Sequence, residues 1–385
     1  MAKLNEALAG AFTDMAEGLV SGQFGRKLRI GLTLSDSEHG EQELIRAAVM
    51  AARQNADIEP VLIGNAEDAP FELHQATGLH ECHQVMEQLL DEGKIDGCVT
   101  LHYGFPLGVS TVGKVVTPGN GREMIIATTT GTSDTQRNLA MVKNALAGVA
   151  LAKASGISEP TVGILNVEGA AVVERALRKL IANGYDLRFT ESSRADGGAL
   201  MRGNDLLKGT PDVMVMDSLT GNLLMKMFSA FTTGGSYESQ GYGYGPGVGE
   251  EAKRLVSIIS RASGAPVIAG AMRLIADAAK GQLPDIYRRE LKAARDAGLD
   301  DVLQELKPKS VAEKETETVK APPEKITESD IGGIDILEIE EARDVLWRKQ
   351  VFAKTGMGCT GPIIMVAKED LEQARVILAE AEYIA

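Results

Sequence analysis

"PDVMVMDSLTGNLLMK", residues 211–226, decides the fold class. Its first half is a continuous apolar run closed by Asp217. Its second half opens with Thr220-Gly221-Asn222 and continues as a helix from about Asn222. A strand that is apolar at successive positions has no solvent face, so it is buried on both sides, as in a parallel sheet covered by helices. The same rhythm recurs on either side of it. "KLRIG" (27–31), "IEPVLIGN" (58–65), "IDGCVTL" (95–101), "MIIATTT" (124–130), "TVGILNV" (161–167), "DLRFTES" (186–192) and "PVIAG" (266–270) read as strands. Helices are expected after the polar loop Ser35–Gly40, around Val85–Leu90, from about Asp134 to Ala154, and over 172–183. Strand, loop, helix and strand in this order predict an α/β protein built from parallel units.

The bulk properties agree. With 385 residues and 44% hydrophobic content the chain can bury a sizeable core. Only 4% of residues are aromatic while 42 are glycine, a profile of close helix–sheet packing. The formal net charge of −14, from 54 acidic and 40 basic residues, disfavours phosphate backbones and anionic membranes, which excludes a nucleic-acid binder. No apolar run is long enough for a membrane span. Residues 1–26 carry acidic residues throughout and read as an amphipathic helical extension, and the protein as cytoplasmic.

Cys82, Cys98 and Cys359 are scattered, odd in number and without metal-ligand spacing, so neither a disulfide framework nor a metal site is expected. Cys98 falls in a buried strand and Cys82 on a helix face, both structural positions. Cys359 is different. It lies in "KTGMGCTGP" (354–362), with glycine on both flanks and Gly361-Pro362 after it. The main body, 27–306, gives way at 307–330 to charge, Thr, Pro and small residues, the composition of a flexible linker. Periodicity returns at 331–385, a small α+β module with Cys359 in its strand-to-strand loop. As coil, the linker would reach roughly 25–30 Å.

Three polar loops follow buried strands, where parallel sheets place ligands. They are "TTTGTSDTQRN" (128–138) with Thr132, Ser133 and Asp134; "LNVEGAA" (165–171) with Asn166 and Glu168; and "DSLTGNLLMK" (217–226) with Thr220, Gly221, Asn222 and Lys226. Helix capping and turn formation account for each loop alone. Together on one sheet edge they point to a phosphate or acyl-phosphate site. "SYESQGYGYGPGVGEEAKRL" (236–255) has neither a GxGxxG after a strand nor a Walker motif, so it does not read as a nucleotide loop. It is expected to be a flexible lid or an intersubunit contact leading into a helix at Glu250.

These stretches carry a resemblance. "GTSDTQRNLAMVKNA", "GVALAKASGISEPTVGILNVEGAA" and "GNDLLKGTPDVMVMDSLTGNLLMK" resemble the fatty acid/phospholipid synthesis family of phosphate acyltransferases, with "LSDSEHGEQELIRAA" a weaker echo, over roughly residues 27–300. The resemblance implies a two-lobed phosphate acyltransferase or isocitrate dehydrogenase-like fold, and transfer of an acyl group between a thioester and phosphate. With "TGMGCTGP" included, the whole chain resembles the component C alpha subunits of glycine/sarcosine/betaine reductase complexes. That closer resemblance implies release of acetyl phosphate, with Cys359 as the acyl-accepting catalytic residue. Inorganic phosphate would be the co-substrate with no cofactor or metal, held by Thr132, Ser133, Asp134, Asn166, Thr220, Gly221, Asn222 and Lys226. The implied partners are a ketoacyl-synthase-like beta subunit and the selenoprotein component A, in a hetero-oligomer. A thiolate suits this chemistry, since it is a soft nucleophile and holds acetyl as a reactive thioester. A stand-alone acyltransferase and a non-catalytic scaffold subunit are the alternatives.

Overall fold

The computed structural model describes residues 26–193, 197–307, 319–332, 334, 338–358, 361–381 and 383–384, with positions 12, 15, 16 and 19 of the N-terminal stretch. The first lobe begins with β1 (Leu28–Leu34), α1 (Glu41–Gln54), β2 (Ile58–Gly64), β3 (Glu72–Gln75), α2 (Gly78–Asp91) and β4 (Gly97–Thr100). The chain then passes through β5 (Val109–Val116) into the second lobe. That lobe comprises β6 (Glu123–Thr132), α3 (Arg137–Ala154), β7 (Thr161–Leu165), α4 (Ala170–Ala182), β8 (Arg188–Phe189), β9 (Leu200–Met201), α5 (Gly203–Lys208), β10 (Val213–Val215) and α6 (Ser218–Ala230). It returns by β11 (Gly245–Gly249) and β12 (Val256–Ile258), followed by α7 (Ala265–Lys280), α8 (Leu283–Asp296) and α9 (Leu299–Leu306).

Among the described residues one twelve-stranded sheet runs through both lobes, in the order β3-β2-β1-β4-β12-β11-β5-β6-β10-β7-β8, with β9 also on β7. Its two wings are parallel. They are joined through β11 and β5, which run antiparallel to their neighbours. The main core lies on one face, where α1, α3, α4, α7 and α8 pack. Smaller cores under α2 and under α6 cover the other face of each wing. Helix α3 is buried along most of its length, which explains why its sequence is apolar on nearly every side. Cys82 and Cys98 are free and buried, and burial pushes the Cys98 thiol far up, as befits packing residues.

Two expectations are corrected. "PVIAG" is not a strand but the first turns of α7, where Pro266 needs no amide hydrogen bond and the apolar residues bury on one side. The glycine-dense stretch 236–255 is not a flexible lid, and no helix begins at Glu250. Gly245–Gly249 is the strand β11, buried at every residue in the middle of the sheet. A Cβ at Gly245 or Gly249 would overlap the carbonyl oxygen of Val112 or Gly108, so close strand approach, rather than flexibility, selects glycine.

A separate core forms from β13 (Ser329–Ile331), α10 (Ile339–Arg348), β14 (Ala353–Gly358), β15 (Gly361–Val366) and α11 (Leu371–Glu380). Ser329 and Asp330, placed in the linker by composition, pair instead with Val366 and Met365, because the hairpin β14–β15 needs a third strand to cover its edge. Pairing in the hairpin extends to Gly358 opposite Gly361. Cys359 lies outside the described residues. Among the described residues no helix is long and apolar enough to cross a membrane.

Candidate functional site

A cavity of about 1000 Å³ opens between the first lobe, the sheet centre and the C-terminal hairpin. The body contributes His83 and Glu87 of α2, the loop from His102 to Phe105, Thr130 and Gly131 at the end of β6, Asn222 of α6 and Tyr244. The module contributes Asp330, Lys354, Met357, Gly358 and Met365. The hairpin sits against the body: Met365 meets Gly104, and Leu107 packs on the module's core. Gly358, the residue before Cys359, therefore shares a cavity with the end of β6 and with the first turns of α6.

Three rings, those of His83, His102 and Tyr103, face this space. Burial pushes the His83 imidazole down to about 4 against the opposing pull of Glu87, so it is uncharged at neutral pH. Its Nε2 lies 3.2 Å from the Thr100 hydroxyl, and its ring meets Tyr103 edge-on at 5.6 Å. Tyr103 donates to Glu87 at 2.8 Å, and burial with that carboxylate raises its phenol to about 12. His102 is also held below the ordinary imidazole range, first by burial, with Asp36 opposing.

On the far wing, the three sequence loops meet at Arg137, the first residue of α3. Its guanidinium donates to Asp217 at 2.9 Å and to Glu168 at 3.2 Å, linking the ends of β6, β7 and β10. Asp217 also accepts the Thr220 amide at 3.0 Å and the Thr220 hydroxyl at 2.7 Å, capping α6. Burial alone would raise the Asp217 carboxyl; Thr220 and Arg137 outweigh it and hold it below the usual carboxylate range.

The predicted phosphate residues thus fall into distinct settings. Thr132 and Ser133 are buried, and the Ser133 hydroxyl turns inward to Asn144 at 2.7 Å. Asp134 pairs with Lys143 at 2.6 Å and caps Gln136. Asn166 is exposed just past the end of β7, its backbone amide donating to the Met201 carbonyl. Thr220 is taken by Asp217, and Gly221 is buried against β6. Asn222 alone of the set lines the large cavity. Lys226, one turn on, pairs with the buried Glu238 and with Ser260, and lies 5.4 Å from the centre of the Tyr244 ring. Burial pulls its ammonium down, but Tyr244 and Glu238 more than offset that. Arg137, Tyr244, His83 and His102 were not among the predicted site residues. For Arg137 a signal existed: a cation opening a helix opposes the helix dipole, so it needs an anionic partner. Among the described residues no cluster of His, Cys, Asp and Glu could hold a metal ion.

The chain is a member of the fatty acid synthesis protein family, whose model matches residues 28–365. Over its whole length it is similar to the glycine/sarcosine/betaine reductase complex component C subunit alpha of Peptoclostridium acidaminophilum, 49% identical over 385 residues covering 100% of both chains. It is also similar to the phosphate acyltransferase of Phenylobacterium zucineum (strain HLK1), 37% identical over 92 residues, 22% of this chain and 24% of that one. The branched-chain phosphotransacylase from Enterococcus faecalis V583 aligns in structure with a TM-score of 0.48 and 13% identity, over 64% of this chain and 99% of that one.

Proposed function

We propose that this chain acts as the alpha subunit of component C in a cytoplasmic glycine, sarcosine or betaine reductase complex, releasing acetyl phosphate. The acetyl group is held as a thioester on Cys359. An oxygen of inorganic phosphate attacks the thioester carbonyl carbon, the C–S bond breaks, and acetyl phosphate leaves as the Cys359 thiolate is restored. No cofactor is needed, because thioester and acyl phosphate are acyl donors of the same oxidation level. A ketoacyl-synthase-like beta subunit and the selenoprotein component A would deliver the acetyl unit.

The observation that carries this reading is the cavity wall. Gly358 shares it with Thr130, Gly131 and Asn222, so the strand that leads to Cys359 opens onto the ends of two of the stretches proposed for phosphate. His83, uncharged at neutral pH, offers a proton acceptor that the sequence around Cys359 lacks. Full-length identity to a component C alpha subunit supports the complex. The partial similarity to phosphate acyltransferases supports the direction of acyl transfer.

Intact mass spectrometry after turnover without phosphate tests it. An acetyl adduct on the peptide containing Cys359, discharged by added phosphate, is expected. Cys359→Ala should lose both adduct and acetyl phosphate while still assembling with its partners. Retained activity in that variant would favour a stand-alone acyltransferase, and failed assembly alone a scaffold subunit.

A further inference from the structure

Tyr244 stands where the two wings meet. Its ring packs against both of the small cores, the one under α2 and the one under α6. Its backbone is fixed on two sides, the amide donating to Ile258 at 2.9 Å and the carbonyl accepting from the Thr129 hydroxyl at 2.6 Å. Lys226 of α6 lies 5.4 Å from the centre of the ring, held there by the buried Glu238 and by Ser260. Glu238 accepts in turn from the Ser263 hydroxyl at 2.7 Å. A buried ion pair adds little stability over apolar packing of the same volume, so stability alone does not account for this network. What it does is fix a cation against Tyr244, and Tyr244 lines the large cavity with Thr130, Gly131, Asn222 and Gly358.

We infer that the Tyr244 hydroxyl donates a hydrogen bond to the carbonyl oxygen of the thioester on Cys359, an inference that rests on the covalent reading above. When a phosphate oxygen bonds to the carbonyl carbon, the C=O electron pair moves onto oxygen, and a donor fixed beforehand holds that charge. When the C–S bond breaks, the pair returns to remake C=O and the C–S electrons leave on the Cys359 sulfur. Tyr244 keeps its proton throughout. Burial pulls the Lys226 ammonium down, and Tyr244 is first among the groups that outweigh it, so phenol and ammonium are closely coupled. A phenol coupled to a cation in a dry setting is a stronger donor than one in water. Phenylalanine would fill the space between the two cores equally well. The cavity on one side and the cation on the other are what call for a hydroxyl.

Exchange of labelled inorganic phosphate into acetyl phosphate by the full-length chain tests this. The Cys359 thiolate attacks acetyl phosphate, phosphate leaves, and labelled phosphate discharges the thioester, so both directions cross the transition state that Tyr244 stabilises. Tyr244→Phe keeps the ring and its contact with Lys226, and it should slow exchange by on the order of 100-fold or more, the value of one oxyanion donor. The KM for phosphate, the circular dichroism spectrum and the rate at which iodoacetamide alkylates Cys359, read by peptide mapping, should be unchanged. Exchange at the unaltered rate in Tyr244→Phe overturns the inference and leaves the ring to packing. A raised KM alone makes Tyr244 a phosphate ligand, and slowed alkylation makes it a support for the hairpin; either result overturns it too. An unaltered chain that shows neither exchange nor an acetyl adduct on Cys359 sinks the covalent reading itself, and this inference with it.

Discussion

Gly221 of α6 lies directly on the carbonyl oxygen of Thr128 in β6; a Cβ at 221 would overlap that oxygen. This contact lets α6 approach the sheet closely enough for Asn222, the next residue, to reach the cavity wall. Gly221→Ala should therefore cost stability despite the better helix propensity of alanine, by about 1–3 kcal/mol from overpacking. Thermal unfolding checks this, and an unchanged or raised melting temperature would contradict the tight contact.

Arg137 bridges Asp217 and the 90% exposed Glu168. The Glu168 half of the bridge is solvent-screened and easily exchanged for an incoming anion. Arg137→Gln should raise the KM for phosphate roughly tenfold or more, the value of a charge-assisted hydrogen bond. Glu168→Gln should leave it within a factor of two or lower it. If both variants behave alike, Arg137 only ties the three loops together.

Glu238 is 1% exposed and accepts from Lys226 and Ser263. Lys226→Met strands that carboxylate without its cation and should destabilise the fold by on the order of 3 kcal/mol. Adding Glu238→Gln to it should recover much of the loss. A double-mutant cycle in urea measures the coupling, and additive losses would show that the pair contributes little.

His83 gives a pH signature. Its folded value of about 4 lies below the ordinary 6.5, so the unfolded chain binds more protons between those values. The stability it contributes is present in full above pH 6.5 and is lost as pH falls toward 4, by up to about 3 kcal/mol. His83→Gln should flatten this part of the stability–pH curve. Parallel curves for the two proteins would show that His83 is not buried neutral.

Trp347 is the sole tryptophan, and its indole donates to Ala353 at 2.9 Å inside the C-terminal module. That module has its own small core, which buries less apolar surface than the body. Its fluorescence transition in urea should therefore precede the far-ultraviolet circular dichroism transition. Coincident midpoints would mean that the hairpin's seat on Gly104 and Leu107 couples the two units fully.

By itself the sequence determined the parallel wings. Val213–Val215 and Thr161–Leu165 are apolar without alternation, and local composition is enough to demand helices on both faces. It also marked the loops at their ends, since Asp217 and Thr220 cap a helix through near neighbours in the chain. Tertiary structure decided what depends on distant partners. Gly245–Gly249 is a central strand because Val112 and Gly108 leave no room for side chains, something no neighbour in sequence reveals. Ser133 turns inward because Asn144, a turn or more into the next helix, offers an acceptor in the core. The hairpin that leads to Cys359 closes a cavity on the body only because Met365 finds Gly104, across more than half the chain. Strand burial and capping act over a few residues, whereas packing and cavity walls join residues that only the folded chain brings together.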